Sequence, residues 1–275
     1  MWSVALPAIG AGVLLALVWW AAGDGCTWVP RVVVPLVLAG AAAGSFIASI
    51  GLPEWPLAQK WHGLVWVFGA IAAAGMLDGA LRAGDWAARL VVACVAGGAA
   101  AWLLHLPDTP PLAVGMAVGG LTYVGGMLDS SGRGVPILAG IWAGGAALSL
   151  LILVAASMTV SLIAGAVSAT AALVVLVGIL LRGRAVWRSG GGGAAGGGLL
   201  AALALTGWSY DYDIVPLWAW WAGVAGFPIA CMLELGSLEK WHGVMSGLAR
   251  TGVLVAPPVA AIVLNWDAIQ GAFSG

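Results

Sequence analysis

From Val135 to Leu181 the chain carries no Asp, Glu, Lys, Arg or His. As one uninterrupted α-helix that stretch would be ~70 Å long, about twice the ~30 Å hydrocarbon core of a bilayer. So long an apolar run needs a lipid environment, and it must fold back on itself. Ser157-Met158-Thr159 offers the polar break at which it does so.

The rest of the chain has the same character. Of its 275 residues 62% are hydrophobic and only 8% charged, with a mean hydropathy of +1.06. A soluble domain is roughly 25% charged. Lipid solvates an apolar exterior, provided that backbone polar groups are satisfied internally. The apolar runs are continuous, ~17–25 residues long and rich in Ala, Leu, Val and Gly, unlike the ~10-residue alternating strands of a barrel. The expected fold class is therefore all-α, a polytopic integral membrane helical bundle with the lipid bilayer as its first partner. The expected location is a cell membrane of the bacterial inner-membrane kind. A net charge of −1 gives no electrostatic footprint for nucleic acid. Met1-Trp2-Ser3 has no positive n-region, so the first span is expected to be retained. Cys26, Cys94 and Cys231 follow no paired spacing and read as small apolar core residues.

Ten transmembrane helices are expected, near residues 3–23, 32–52, 63–82, 86–106, 111–128, 135–156, 159–182, 191–208, 214–233 and 247–265. The eighth is the weakest, because it opens on Gly190–Gly193 and Gly196–Gly198. Glycine-rich helices are tolerated in membranes, where they permit close backbone approach. With ten spans, nine of the ten basic residues fall in odd-numbered loops: Arg31, Arg82, Arg89, Arg133, Arg182, Arg184, Arg188, Lys240 and Arg250. Lys60 is the exception. The positive-inside rule then puts both termini outside the cytoplasm. Nine spans, the alternative, would move Lys240 and Arg250 outside. Trp28, Trp55, Trp61, Trp86, Trp187, Trp208, Trp241 and Trp266 lie near proposed span ends, where their rings favour the interface.

Two repeats organise the chain. Gly75-Met76-Leu77-Asp78 with Arg82 recurs as Gly126-Met127-Leu128-Asp129 with Arg133, and more faintly as Met232-Leu233-Glu234. All three fall at the cytoplasmic end of an odd-numbered span, which suggests a single transmembrane domain over 1–275 built from five helical hairpins. If the helix continues, each Asp and Arg four apart can pair on one face and pin the depth of the span. The second repeat joins Glu54, Gln59, Lys60, Trp61, His62 and Gly63 to Glu234, Glu239, Lys240, Trp241, His242 and Gly243. In ten spans its copies lie on opposite sides of the membrane. The simplest reading is an interfacial anchor, with Trp at headgroup depth and Lys snorkelling. The sharper reading makes His62 and His242 proton-sensitive or ligand-contacting groups.

Chemistry is otherwise sparse. There is no phosphate loop, nucleophile elbow or zinc-protease motif, and no His or Cys pair with metal-ligand spacing, so no cofactor or metal is expected. Tyr210-Asp211-Tyr212-Asp213 reads as a solvated turn rather than a cation site. Asp78 and Asp129 are the deepest acidic residues but lie toward span ends, which disfavours a buried carboxylate relay. Mid-span polarity comes from Ser45, Ser49, Thr122, Tyr123, Ser149, Ser168 and Thr170, and Pro257-Pro258 is expected to break the last span. These residues leave a small-solute transporter or permease as the leading reading, with a cavity near Pro257, Pro258, Thr122 and Tyr123. A non-catalytic structural or assembly subunit, bound to a membrane protein partner or to its own copies, is the alternative. A membrane enzyme ranks last, since no acid–base or nucleophile cluster is visible.

Reporter fusions placed after Arg188 and after Asp213 separate ten spans from nine. They should report opposite sides of the membrane; a shared side would contradict the ten-span count.

Overall fold

The computed structural model describes residues 28–53, 60–82, 84–106, 109–130, 134–155, 157–182, 190–211, 214–236 and 243–274, together with 6, 7, 9–11, 13, 14, 17 and 18. Among them the regular elements are all helical. The helices are α1 (Trp28–Ile50), α2 (Leu64–Ala80), α3 (Trp86–Leu103), α4 (Pro111–Ser130), α5 (Gly134–Val154), α6 (Met158–Arg182), α7 (Gly192–Ser209), α8 (Leu217–Gly236), α9 (Gly243–Leu264) and α10 (Trp266–Ser274). A 3₁₀ turn, Lys60–Gly63, leads into α2. The described residues between Leu6 and Val18 are also helical.

Seven of these helices, α1, α3, α4, α5, α6, α8 and α9, are long and apolar enough to cross a bilayer, and α2 is apolar but shorter. The outward surface agrees with a lipid setting. Val91, Val95 and Trp102 on α3, Met116 on α4 and Val263 on α9 are all more than 60% exposed. That is a costly arrangement in water, and lipid removes the cost.

The charge-free stretch folds back where expected. α5 ends at Val154 and α6 starts at Met158. The two helices run antiparallel, in a register fixed by hydroxyls. Ser149 Oγ donates to the Ser161 carbonyl (2.9 Å) and Ser161 Oγ donates to the Ser149 carbonyl (2.7 Å). Nearer the charged end of the hairpin, Ser168 Oγ donates to the Trp142 carbonyl (2.8 Å). Such interhelical bonds are worth ~1 kcal/mol each in a membrane.

At the centre stands α7, the helix whose sequence is poorest in span character. Every residue from Gly192 to Gly207 is buried in protein. α7 packs against α1, α2, α4, α5, α6 and α8. Glycine makes this possible. Gly75 of α2 and Gly191 occupy each other's missing side-chain position, each facing the other's carbonyl oxygen. Gly125 of α4 and Gly193 do the same, and Gly197 faces the Leu121 carbonyl. Cα–H···O=C contacts of this kind recur at close helix–helix interfaces and contribute perhaps 0.5–1 kcal/mol each. On its other sides α7 takes side chains, with Ile141 of α5 against Gly196 and Ile71 of α2 against Gly198. Gly190 and Gly191 enter the helix at φ of 54° and 95°, a left-handed conformation that costs other residues ~1–2 kcal/mol each.

Three expectations are corrected. Pro257-Pro258 do not break their span, because α9 is continuous from Gly243 to Leu264. Pro258 leaves the Leu254 carbonyl without its intrahelical amide, and Gly226 of α8 packs directly onto that oxygen. Cys94 is exposed on α3 and is no core residue, whereas Cys231 is half-buried and packs against the core; Cys26 lies outside the described residues. The sequence reading also ends before α10, a short helix that lays Ile269 against the bundle and keeps Asp267 and Gln270 exposed.

The glycine packing has a measurable consequence. Gly197→Ala drives a methyl group into the Leu121 carbonyl and should destabilise the detergent-solubilised protein by ~1–3 kcal/mol. Gly98→Ala, on the open face of α3, should be neutral or slightly stabilising. Equal thermal stability of the two variants would contradict the packing.

Candidate functional site: buried charges at the start of the central helix

Alternating helix directions bring the ends of α2, α4 and α8 and the starts of α3, α5, α7 and α9 to one end of the bundle. The acidic residue of each Met-Leu-acidic copy sits there, and each has a different partner.

Asp78, on the last turn of α2, is 3% exposed. Its Oδ1 accepts a hydrogen bond from Nε of Arg89 on α3 (2.9 Å), and Arg89 is itself 3% exposed. The helical i,i+4 pair with Arg82 does not form. α2 stops at Ala80, Leu81 is extended, and Arg82 is exposed with its amide donating to Asp85 (2.8 Å). Asp129, on the last turn of α4, is 6% exposed. Its Oδ2 accepts the amides of Gly193 (2.7 Å) and Ala194 (3.3 Å). Those are orphan donors of the first turn of α7, at the positive end of its dipole, so the carboxylate caps the helix from a neighbouring one. Arg133 lies outside the described residues.

The two Asp side chains meet around Gly126. The Asp78 carboxylate lies where a Gly126 side chain would begin, with Oδ1 2.6 Å from that position. Gly126 is one turn before Asp129, and the two carboxylates are within electrostatic reach of each other. Gly79 supports the same junction by packing against the carbonyls of Gly190 and Arg31. The glycine of the second Gly-Met-Leu-Asp copy thus admits the aspartate of the first, whereas Gly75 of the first copy packs on Gly191 and Ala195.

Glu234, the third copy, pairs bidentately with Arg250 of α9. Nε of Arg250 donates to Oε1, and Nη2 donates to Oε2 (2.9 Å). Nη1 reaches the Ser246 carbonyl (3.2 Å). Arg250 is 3% exposed, so this is a largely desolvated fork-to-fork pair.

The remaining sequence candidates are dispersed. His62 is half-buried on the opposite end and meets Phe46 edge-on at 6.1 Å. Gly63 beside it packs onto the Leu103 carbonyl, so the 3₁₀ turn is seated against the end of α3. Lys60 lies in that turn. Lys240 and His242 lie outside the described residues. Tyr123 is half-buried on α4, and the neighbouring Thr122 hydroxyl donates to its own helix at Val118 (2.8 Å). Pro257 and Pro258 lie in the second half of α9, a helix that starts at the charged end of the bundle. Asp211 is occupied by protein donors: the amides of Ile214 (3.1 Å) and Val215 (3.0 Å) and the indole of the buried Trp220 (3.1 Å). It closes the α7–α8 turn.

Sequence reasoning missed Arg89, which it placed in a loop, and the buried meeting of Asp78 with Asp129. The signal for the second was the repeat itself, since both copies pair a glycine with the aspartate one turn later. No signal in the chain pointed to Arg89. Neither a family model, a curated protein nor a solved structure matches this chain.

Proposed function

We propose that this chain is a ten-span permease of the cell membrane, with both termini outside the cytoplasm, that moves a small polar solute. The buried Asp78–Arg89–Asp129 junction at the start of α7 carries the reading. Ionised groups removed from water cost several kcal/mol each, and in membrane proteins they mark pathways and relays. Transporters commonly aim the positive start of a helix inside the protein at an anionic group. α7 begins inside the bundle and aims its first amides at Asp129. The ten spans comprise the N-terminal helical stretch and α1 to α9. Within them α7 counts as a span despite its glycines, because neighbours rather than lipid surround it.

A second reading keeps one observation of its own. Trp142 lies mid-span on α5 and is 49% exposed, away from the interface where Trp is at home. A large ring there suits a membrane protein partner or a second copy, as a structural or assembly subunit would require.

Osmotic re-swelling of proteoliposomes bearing the full chain separates the two. Challenged with a panel of glycerol, neutral amino acids and small sugars, they should re-swell faster than protein-free liposomes for at least one solute class. Kinetics identical to empty liposomes for every class would remove the permease reading.

A further inference from the structure

We propose that Asp78 holds an exchangeable proton on Oδ2, in a site built by α2, α3, α4 and the start of α7. Asp78 is 3% exposed, and among the described residues Oδ2 has no hydrogen-bond partner although it is buried. A buried, ionised carboxylate oxygen without a donor costs ~1–3 kcal/mol or more, so the site calls for a ligand that removes its charge. Its surroundings select which. Oδ1 is already taken by Arg89, so a further metal cation would sit beside a guanidinium. Gly126 packs its backbone directly on the carboxylate, which leaves no room on that side for a hydrated ion. Among the described residues no three His, Cys, Asp or Glu side chains converge as a metal set would require. A proton needs one lone pair and no volume.

The groups facing Asp78 can be named helix by helix. α3 brings the Arg89 cation, which favours the ionised form. α4 brings the Asp129 carboxylate, which reaches Asp78 electrostatically and is held by the first amides of α7. α7 brings only main-chain amides, which Asp129 takes. α1 brings Arg31, whose carbonyl lies against Gly79. On α2's own continuation Arg82 is exposed. The protonation step is a transfer from water: an O–H bond of hydronium or buffer breaks, and one forms at Oδ2. This deepens the transport reading, and any coupling of the proton to solute movement rests on it.

Infrared titration of the full chain in nanodiscs tests the site without measuring flux. The wild type should show a protonated-carboxyl C=O band that titrates with pH and shifts in D₂O. Asp78→Asn should lose that band, while Asp85→Asn, at an exposed turn, should keep it. Asp129→Asn should keep the titrating band, because the proton sits on Asp78; this variant decides the matter should Asp78→Asn not fold. The absence of any such band in the folded wild type would overturn the proposal. So would a band that survives in Asp78→Asn, a band lost in Asp129→Asn, which would assign the proton to Asp129, or one abolished by sodium chloride at fixed pH, which would assign the site to a metal cation. A negative swelling assay with a positive titration would remove the permease and leave the proton site standing.

Discussion

Everything in this bundle depends on how closely backbones approach α7. A membrane interior offers no hydrophobic force to drive one helix against another, so association rests on packing and weak polar contacts. Gly75 with Gly191, Gly125 with Gly193, and Gly197 with Leu121 set α2 and α4 against α7 with no side chain between the main chains. At that separation each glycine gains dispersion and Cα–H···O contacts that a larger residue would replace with a clash. The same closeness delivers the first amides of α7 to Asp129, and it puts Gly126 against Asp78. The buried charges are therefore a consequence of the glycine packing, since a wider spacing would admit side chains between the helices or water to the carboxylates.

The charged end holds two arrangements that differ in kind. Glu234 and Arg250 join α8 to α9 by a saturated fork, in which each charge answers the other. Removing one partner of so buried a pair characteristically costs ~3–5 kcal/mol, so the pair fixes geometry rather than responding to conditions. Asp78, Arg89 and Asp129 share their partners unevenly. Asp129 is held by the helix start, Asp78 has one oxygen on Arg89, and its second oxygen faces the packed glycine surface of α4. An arrangement with an unmet need for a donor can respond to a change in protonation, and a saturated one cannot.

Much of this was legible in the sequence, for physical reasons that also explain what was not. The hairpin turn after Val154 followed from length alone, since no helix of lipid-compatible length spans residues 135–181. α4 at Pro111–Ser130 and α6 at Met158–Arg182 fall close to the expected 111–128 and 159–182, because polar residues bound both. Gly190–Gly198 read as the weakest span because hydropathy scores contact with lipid, and α7 makes none along its buried length. Asp78 was matched to Arg82 by helical spacing, yet the helix ends first and the tertiary neighbour Arg89 takes the carboxylate. Local spacing cannot foresee a partner on the next helix. Pro257-Pro258 suggested a break because the pair removes two amides, but Gly226 of α8 covers one freed carbonyl and the helix continues.

Amide hydrogen exchange of the unmodified chain in nanodiscs, resolved over residues 190–209, bears most directly on the central helix. If α7 is the buried axis of the bundle, its amides from Ala194 to Gly207 should be among the slowest to exchange, slower than those of the peripheral α3. Rapid exchange across that glycine-rich segment, at the rate of an exposed loop, would contradict the account.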